Sequence, residues 1–145
     1  MEFSGILNLF RQGKGTARSH MKNLIELAAV DGNFDDVEYD LLRQIAKRNG
    51  VSTSQLESIR SNPAGISFEI PTDDRERFNQ LYDLVQMMSV DQNVHEEERK
   101  LCNLFAIKFG YPRPKVKELV ETLRLNIING QTHEEAFKRS ALLLR

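Results

Sequence analysis

Apolar residues recur every three to four positions along most of this chain, the period of an amphipathic helix. Phe3, Ile6, Leu7 and Phe10 make the first stripe and predict a helix over 2–12, broken by Gln12-Gly13-Lys14-Gly15. Met21, Leu24, Ile25 and Ala28 repeat the spacing in a second helix that stops at Asp31-Gly32. Asp35-Asp36-Val37-Glu38 opens a third as a capping box, with Phe34 and Tyr39 spaced for a hydrophobic staple. Its buried face is Leu41, Leu42, Ile45 and Ala46, and Gly50 stops it. Ser52-Thr53-Ser54-Gln55 caps a short helix anchored by Leu56 and Ile59. Ile66-Ser67-Phe68-Glu69-Ile70 alternates like a strand, but a strand needs a partner, so an extended connector ending at Pro71 is expected.

The pattern then starts again. Phe78, Leu81, Tyr82, Val85 and Met88 form one helical stripe, and Leu101, Cys102, Phe105 and Phe109 another, opened by Glu96, Glu97 and Glu98. Val116, Leu119, Val120, Leu123 and Ile127 carry a longer helix after Pro112 and Pro114. Thr132-His133-Glu134-Glu135 reads as a last capping box, ahead of a helix over 133–144 with Phe137, Ala141 and Leu144 on its apolar face. Met21–Val51 aligns without a gap on Leu81–Tyr111, 60 residues on. Eight pairs are identical: Leu24/Leu84, Val30/Val90, Asp31/Asp91, Asn33/Asn93, Glu38/Glu98, Leu41/Leu101, Ala46/Ala106 and Gly50/Gly110. Unrelated segments of this length share roughly two, so an internal duplication of a three-helix unit is expected. The expected fold is an all-α bundle forming a single domain over 1–145, with copies at about 17–62 and 72–130.

Composition narrows the function. Twenty Lys and Arg against 21 Asp and Glu leave a net charge of −1, with no bias toward nucleic acid or an anionic membrane. One cysteine, Cys102, rules out an intramolecular disulfide and Cys-rich zinc patterns. The opening MEFSGILNLFRQGKG lacks the basic start and long apolar run of a signal peptide, and no stretch reaches the roughly 20 apolar residues of a membrane helix, so a cytoplasmic location without membrane insertion is expected.

Candidate chemistry centres on the two acidic turns. In 31–38, oxygen-bearing side chains stand at Asp31, Asn33, Asp35 and Glu38, the clustering that hard cations such as calcium require. The turn begins like an EF-hand loop and then departs, with Asp36 where glycine is needed and Leu42 where a bidentate Glu is needed. The second turn offers Asp91, Asn93 and Glu98, with His95 in place of Asp35 and Cys102 in place of Leu42. These seven residues are candidate ligands of a divalent cation, an acidic surface for a basic partner, or ordinary helix caps.

Other features point to blander roles. Cys102 replaces a core leucine and is expected in the core. Gly13-Lys14-Gly15-Thr16 lacks the order and preceding strand of a phosphate loop and reads as a hinge. Arg11, Lys14, Arg18, His20 and Lys22 form a basic stretch without interleaved aromatics, read as a solvated helix face. With His20, His95 and His133 scattered, no catalytic constellation emerges and no enzyme is expected.

The run Leu24-Ile25-Glu26-Leu27-Ala28-Ala29-Val30-Asp31-Gly32-Asn33-Phe34-Asp35-Asp36-Val37-Glu38 resembles the signature of tellurite-resistance TerB-like proteins: an apolar helix ending in Asp-Gly, a short acidic turn, then a helix opening with Glu. The resemblance covers roughly Met21 to Leu123. It implies a duplicated helical bundle with a non-enzymatic binding or scaffold role in bacterial stress response. It also implies metal-linked sensing and assembly with membrane-associated partners. Its functional acids would be Asp31 and Glu38, then Asp91 and Glu98, although Gln92 and His95 depart from the pattern in the second turn. A protein partner is expected and nucleic acid is not; a homo-oligomer stays open.

Overall fold

Eight α-helices make up the regular structure of the residues described by the computed structural model, which are 3–13, 15, 17–30, 34–62, 66, 68–90 and 95–145, with the side chains at 10, 17, 18, 90 and 95 left out. They are α1 (Phe3–Arg11), α2 (Ala17–Val30), α3 (Asp36–Arg48), α4 (Thr53–Ser61), α5 (Asp74–Val90), α6 (His95–Lys108), α7 (Arg113–Ile128) and α8 (His133–Leu143). No described residue lies in a strand, and among the described residues no helix is long and apolar enough to cross a membrane.

The helix starts follow the local sequence closely. Asp35 accepts from the Glu38 amide at 2.8 Å while Glu38 Oε1 accepts from the Asp35 amide at 3.1 Å, closing the capping box of α3. Ser52 and Gln55 do the same for α4. Asp73 accepts from the Glu76 amide at the start of α5. At α8 only half of the expected box forms: Thr132 accepts from the Glu135 amide at 3.1 Å, without the return bond, because Ncap chemistry needs only the hydroxyl. Helix α7 begins one residue before Pro114, which costs nothing because a first-turn residue has no intrahelical use for its N–H.

Two helix ends explain why an alanine and a glycine recur 60 residues apart. After α3, Val51 N–H donates to Ala46 O at 2.8 Å and Gly50 N–H to Lys47 O at 3.3 Å. After α6, Tyr111 N–H donates to Ala106 O at 3.2 Å and Gly110 N–H to Ile107 O at 2.9 Å. Both are Schellman stops, whose turning residue must be left-handed; Gly50 has φ +81° and Gly110 φ +95°. A Cβ at Gly110 meets nothing within 4 Å, so only backbone strain opposes it. Gly110→Ala is expected to lower stability by about 1 kcal/mol, measured by urea unfolding. A neutral result would show that the stop does not need glycine.

Packing gathers the chain into two compact units, Met1–Ile70 and Pro71–Arg145, which divide within the connector. In the first, α2 packs against α1, α3 and α4, burying Phe3, Ile6, Leu7, Leu24, Ile25, Leu27, Ala28, Leu42, Ile45, Ala46, Val51 and Leu56. Phe3, Ile6 and Leu7 of the α1 stripe therefore lie in this core, with Phe3 edge-on to Phe68 of the connector at 5.8 Å. In the second, α5, α6 and α7 pack against one another and α8 closes on α7. Its core includes Phe78, Leu81, Leu84, Val85, Leu101, Leu104, Phe105, Ala106, Phe109, Val116, Leu119, Val120 and Leu123.

Two expectations about faces are corrected. His20 is not part of a solvated basic face: it is buried, on the same side of α2 as Leu24. On α8 the buried residues are Ala136 and Ser140, whereas Phe137 and Leu144 are half-buried and Ala141 is exposed. A short terminal helix packs mainly on α7, and among its residues only the stripe facing that helix is fully covered.

Candidate functional site

The acidic turns fall at matching junctions, between α2 and α3 and between α5 and α6. Asp31, Asn33, Asp91 and Asn93 lie outside the described residues. The remaining candidates are set apart by their surroundings. Asp35 is exposed and Glu38 half-buried, and both use carboxylate oxygens on the first turn of α3. Tyr39, next along, is covered by Arg60 at 4.5 Å and Arg43 at 5.3 Å, and its hydroxyl donates to Glu57 at 3.1 Å.

Glu98, the counterpart of Glu38, is buried. With Arg99, Arg124, Cys102, Ser89, Val85 and Met88 it lines a cavity of about 10 Å³, the room of a single water. Arg124 is held by Glu121 at 3.0 Å, and Arg99 lies 3.9 Å from the same carboxylate and 4.0 Å from Glu96. Burial, and then the Glu98 charge, push the Cys102 thiol far up, while Arg124 pulls the other way, so the thiol stays protonated and inert. The second acid thus lines a small cavity beside Arg99 and Arg124, whereas the first caps a helix. The reason is length: α7 runs to Ile128, whereas α4 ends at Ser61, so Arg124 sits on a helical extension that the first copy lacks. Among the described residues, no group of three or more His, Cys, Asp or Glu side chains is placed to hold a metal ion.

A second concavity in the same unit involves residues with no place in the sequence-based candidate set. Asp74, Arg77 and Phe78 from the first turns of α5, Tyr111 from the α6–α7 connection, and Phe137, Ser140, Ala141 and Leu144 from α8 line a cleft of about 250 Å³. Phe78 forms its floor and meets Phe137 edge-on at 5.1 Å. Behind it, Tyr82 and His133 stack edge to face at 4.6 Å, and Arg75 lies over Phe137 at 4.0 Å while pairing with Glu134. Burial, then the charge of Arg75, lower the pKa of His133, so the ring is neutral at pH 7. Burial pushes the Tyr111 hydroxyl up to about 12, with Arg77 and Asp74 acting in opposite directions, so it remains a donor at any physiological pH.

The spacing of Phe137, Ala141 and Leu144 does register in the sequence, but as a core stripe. Arg77 and Tyr111 carry no spacing signal, because they meet only when α5 and the α6–α7 connection pack together. Comparison of the chain with known protein-family models, with curated proteins and with solved structures found no match.

Proposed function

We propose that this chain is a non-enzymatic, TerB-like binding or scaffold module built by internal duplication. In this reading it serves a bacterial stress-response system by presenting its acidic turns to a protein partner or a cation. The observation that carries the reading is the recurrence of Asp-x-Asn and a following Glu at corresponding helix junctions 60 residues apart, each leading into a helix that ends in an equivalent Schellman stop. Caps alone need no such repetition, since α4, α5 and α8 are capped by unrelated residues.

The test is calorimetric titration of calcium into chelator-stripped protein, with Asp31→Asn/Asp91→Asn as the comparison. Saturable heat that disappears in the double variant is the result expected of a cation site, and it would make the module a divalent-metal sensor. Without heat, the same variant should weaken capture of the protein partner by at least about tenfold. In either case the melting temperature should move by no more than about 2–8 °C, the effect of roughly 1 kcal/mol of lost capping. A larger stability loss with unchanged binding would reduce the turns to helix caps.

A further inference from the structure

The α5–α8 cleft combines an apolar wall with a polar end. Its volume of about 250 Å³ exceeds the roughly 150 Å³ that suffices for a benzene-sized guest. Ser140, though polar, is already satisfied, donating to Phe137 O at 2.8 Å. The other polar groups of the lining are Asp74, Arg77 and Tyr111. Arg77 is largely buried and directs Nε and Nη2 to Pro71 O at 3.3 Å, which fixes the guanidinium and leaves the Nη1 protons for another acceptor. Its ion pair with Asp74 is long, 3.7 Å, and the Asp74 side chain is 92% exposed, so water screens that charge. The Tyr111 hydroxyl adds a second donor.

We propose that this cleft binds a small monocarboxylate, with its apolar body against Phe78, Phe137, Ala141 and Leu144 and its carboxylate on Arg77 and Tyr111. A cationic guest is disfavoured because the Arg77 guanidinium is three-quarters covered, whereas the Asp74 carboxylate, also in the lining, is 92% exposed and screened by water. An uncharged guest gains the apolar contact but leaves the anchored guanidinium unused. Charge-assisted hydrogen bonds to a fixed guanidinium provide the discrimination. This site is separate from the acidic turns, so its test does not depend on theirs.

The experiment is a titration of ¹⁵N-labelled protein with hexanoate, 1-hexanol and hexylammonium, followed by amide shifts. Hexanoate is expected to saturate, moving the amides of Arg77, Tyr111, Ala141 and Leu144, and to bind at least about tenfold more tightly than either analogue. Arg77→Gln should weaken hexanoate by about tenfold and abolish its preference over hexanol. Ala141→Phe fills the cleft from an exposed position without touching the anchor, and should abolish binding even if Arg77→Gln fails to fold. The proposal is overturned by the absence of saturation at about 10 mM, where a millimolar site is nearly full. Equal binding of hexylammonium, or unchanged affinity in Ala141→Phe, would overturn it too. Tighter binding of a leucine-ended peptide than of hexanoate would reassign the cleft to a peptide C-terminus.

Discussion

Leu24→Ala and Leu84→Ala are each expected to lower stability by about 3 kcal/mol, within the 2–5 kcal/mol that such truncations produce in a packed core. The two residues are identical across the 60-residue offset, and neither is accessible to solvent. Leu24 lies on α2, which packs against three helices, and Leu84 on α5, which packs against α6 and α7 and meets α8 through Phe78 and Phe137. Removing three methyl or methylene groups leaves a cavity that rigid helices cannot close fully. Urea unfolding of the single variants measures the effect, with Leu142→Ala as the control. Leu142 is 63% exposed, so its truncation should change stability by no more than about 0.5 kcal/mol. A cost below about 1 kcal/mol at either Leu24 or Leu84 would show that its neighbours collapse into the space.

The second large effect separates two residues that the sequence makes equivalent. Glu98→Ala is expected to cost about 2–3 kcal/mol, and Glu38→Ala about 1 kcal/mol. Glu38 contributes one reciprocal capping bond at an exposed helix start, the usual magnitude of which is near 1 kcal/mol. Glu98 is buried and lines a small cavity with Arg99 and Arg124, so its removal enlarges that cavity and takes away a buried charged group. Arg99 and Arg124 keep Glu121 and reach water in part, with exposures of 39% and 18%, which holds the cost below the about 3–5 kcal/mol of a broken fully buried pair. Equal costs for the two variants would contradict the different surroundings described for the two acids. The same burial bears on function: Glu98 is turned away from water, so Glu98→Gln should leave any calcium heat at the second turn unchanged.

Helix positions and boundaries were legible because they depend on neighbours within a few residues. The Asp35–Glu38 and Ser52–Gln55 boxes, the stops at Gly50 and Gly110, and the core stripe of α6 all follow from interactions three to six residues apart. The face of α8 was not legible. Phe137, Ala141 and Leu144 have the spacing of a buried stripe, yet Ala136 and Ser140 meet α7 and the apolar stripe opens onto a cleft. Periodicity tells which residues share a face and is silent about which face finds a partner. His20 shows the converse, a polar residue drawn into a core because its position on α2 faces inward.

The sequence by itself determined the all-helical class, the order of the helices, their caps and stops, and the 60-residue recurrence, since each is written in short-range spacing or direct identity. Only the tertiary structure decided that Glu98 is buried beside Arg99 and Arg124 in a small cavity, and that Arg77, Tyr111 and one side of α8 meet around a cleft. Those outcomes depend on residues 25 or more positions apart, such as Glu98 and Arg124, or Arg77 and Tyr111. They are brought together by the length of α7 and the packing of α5 through α8, which no local pattern records.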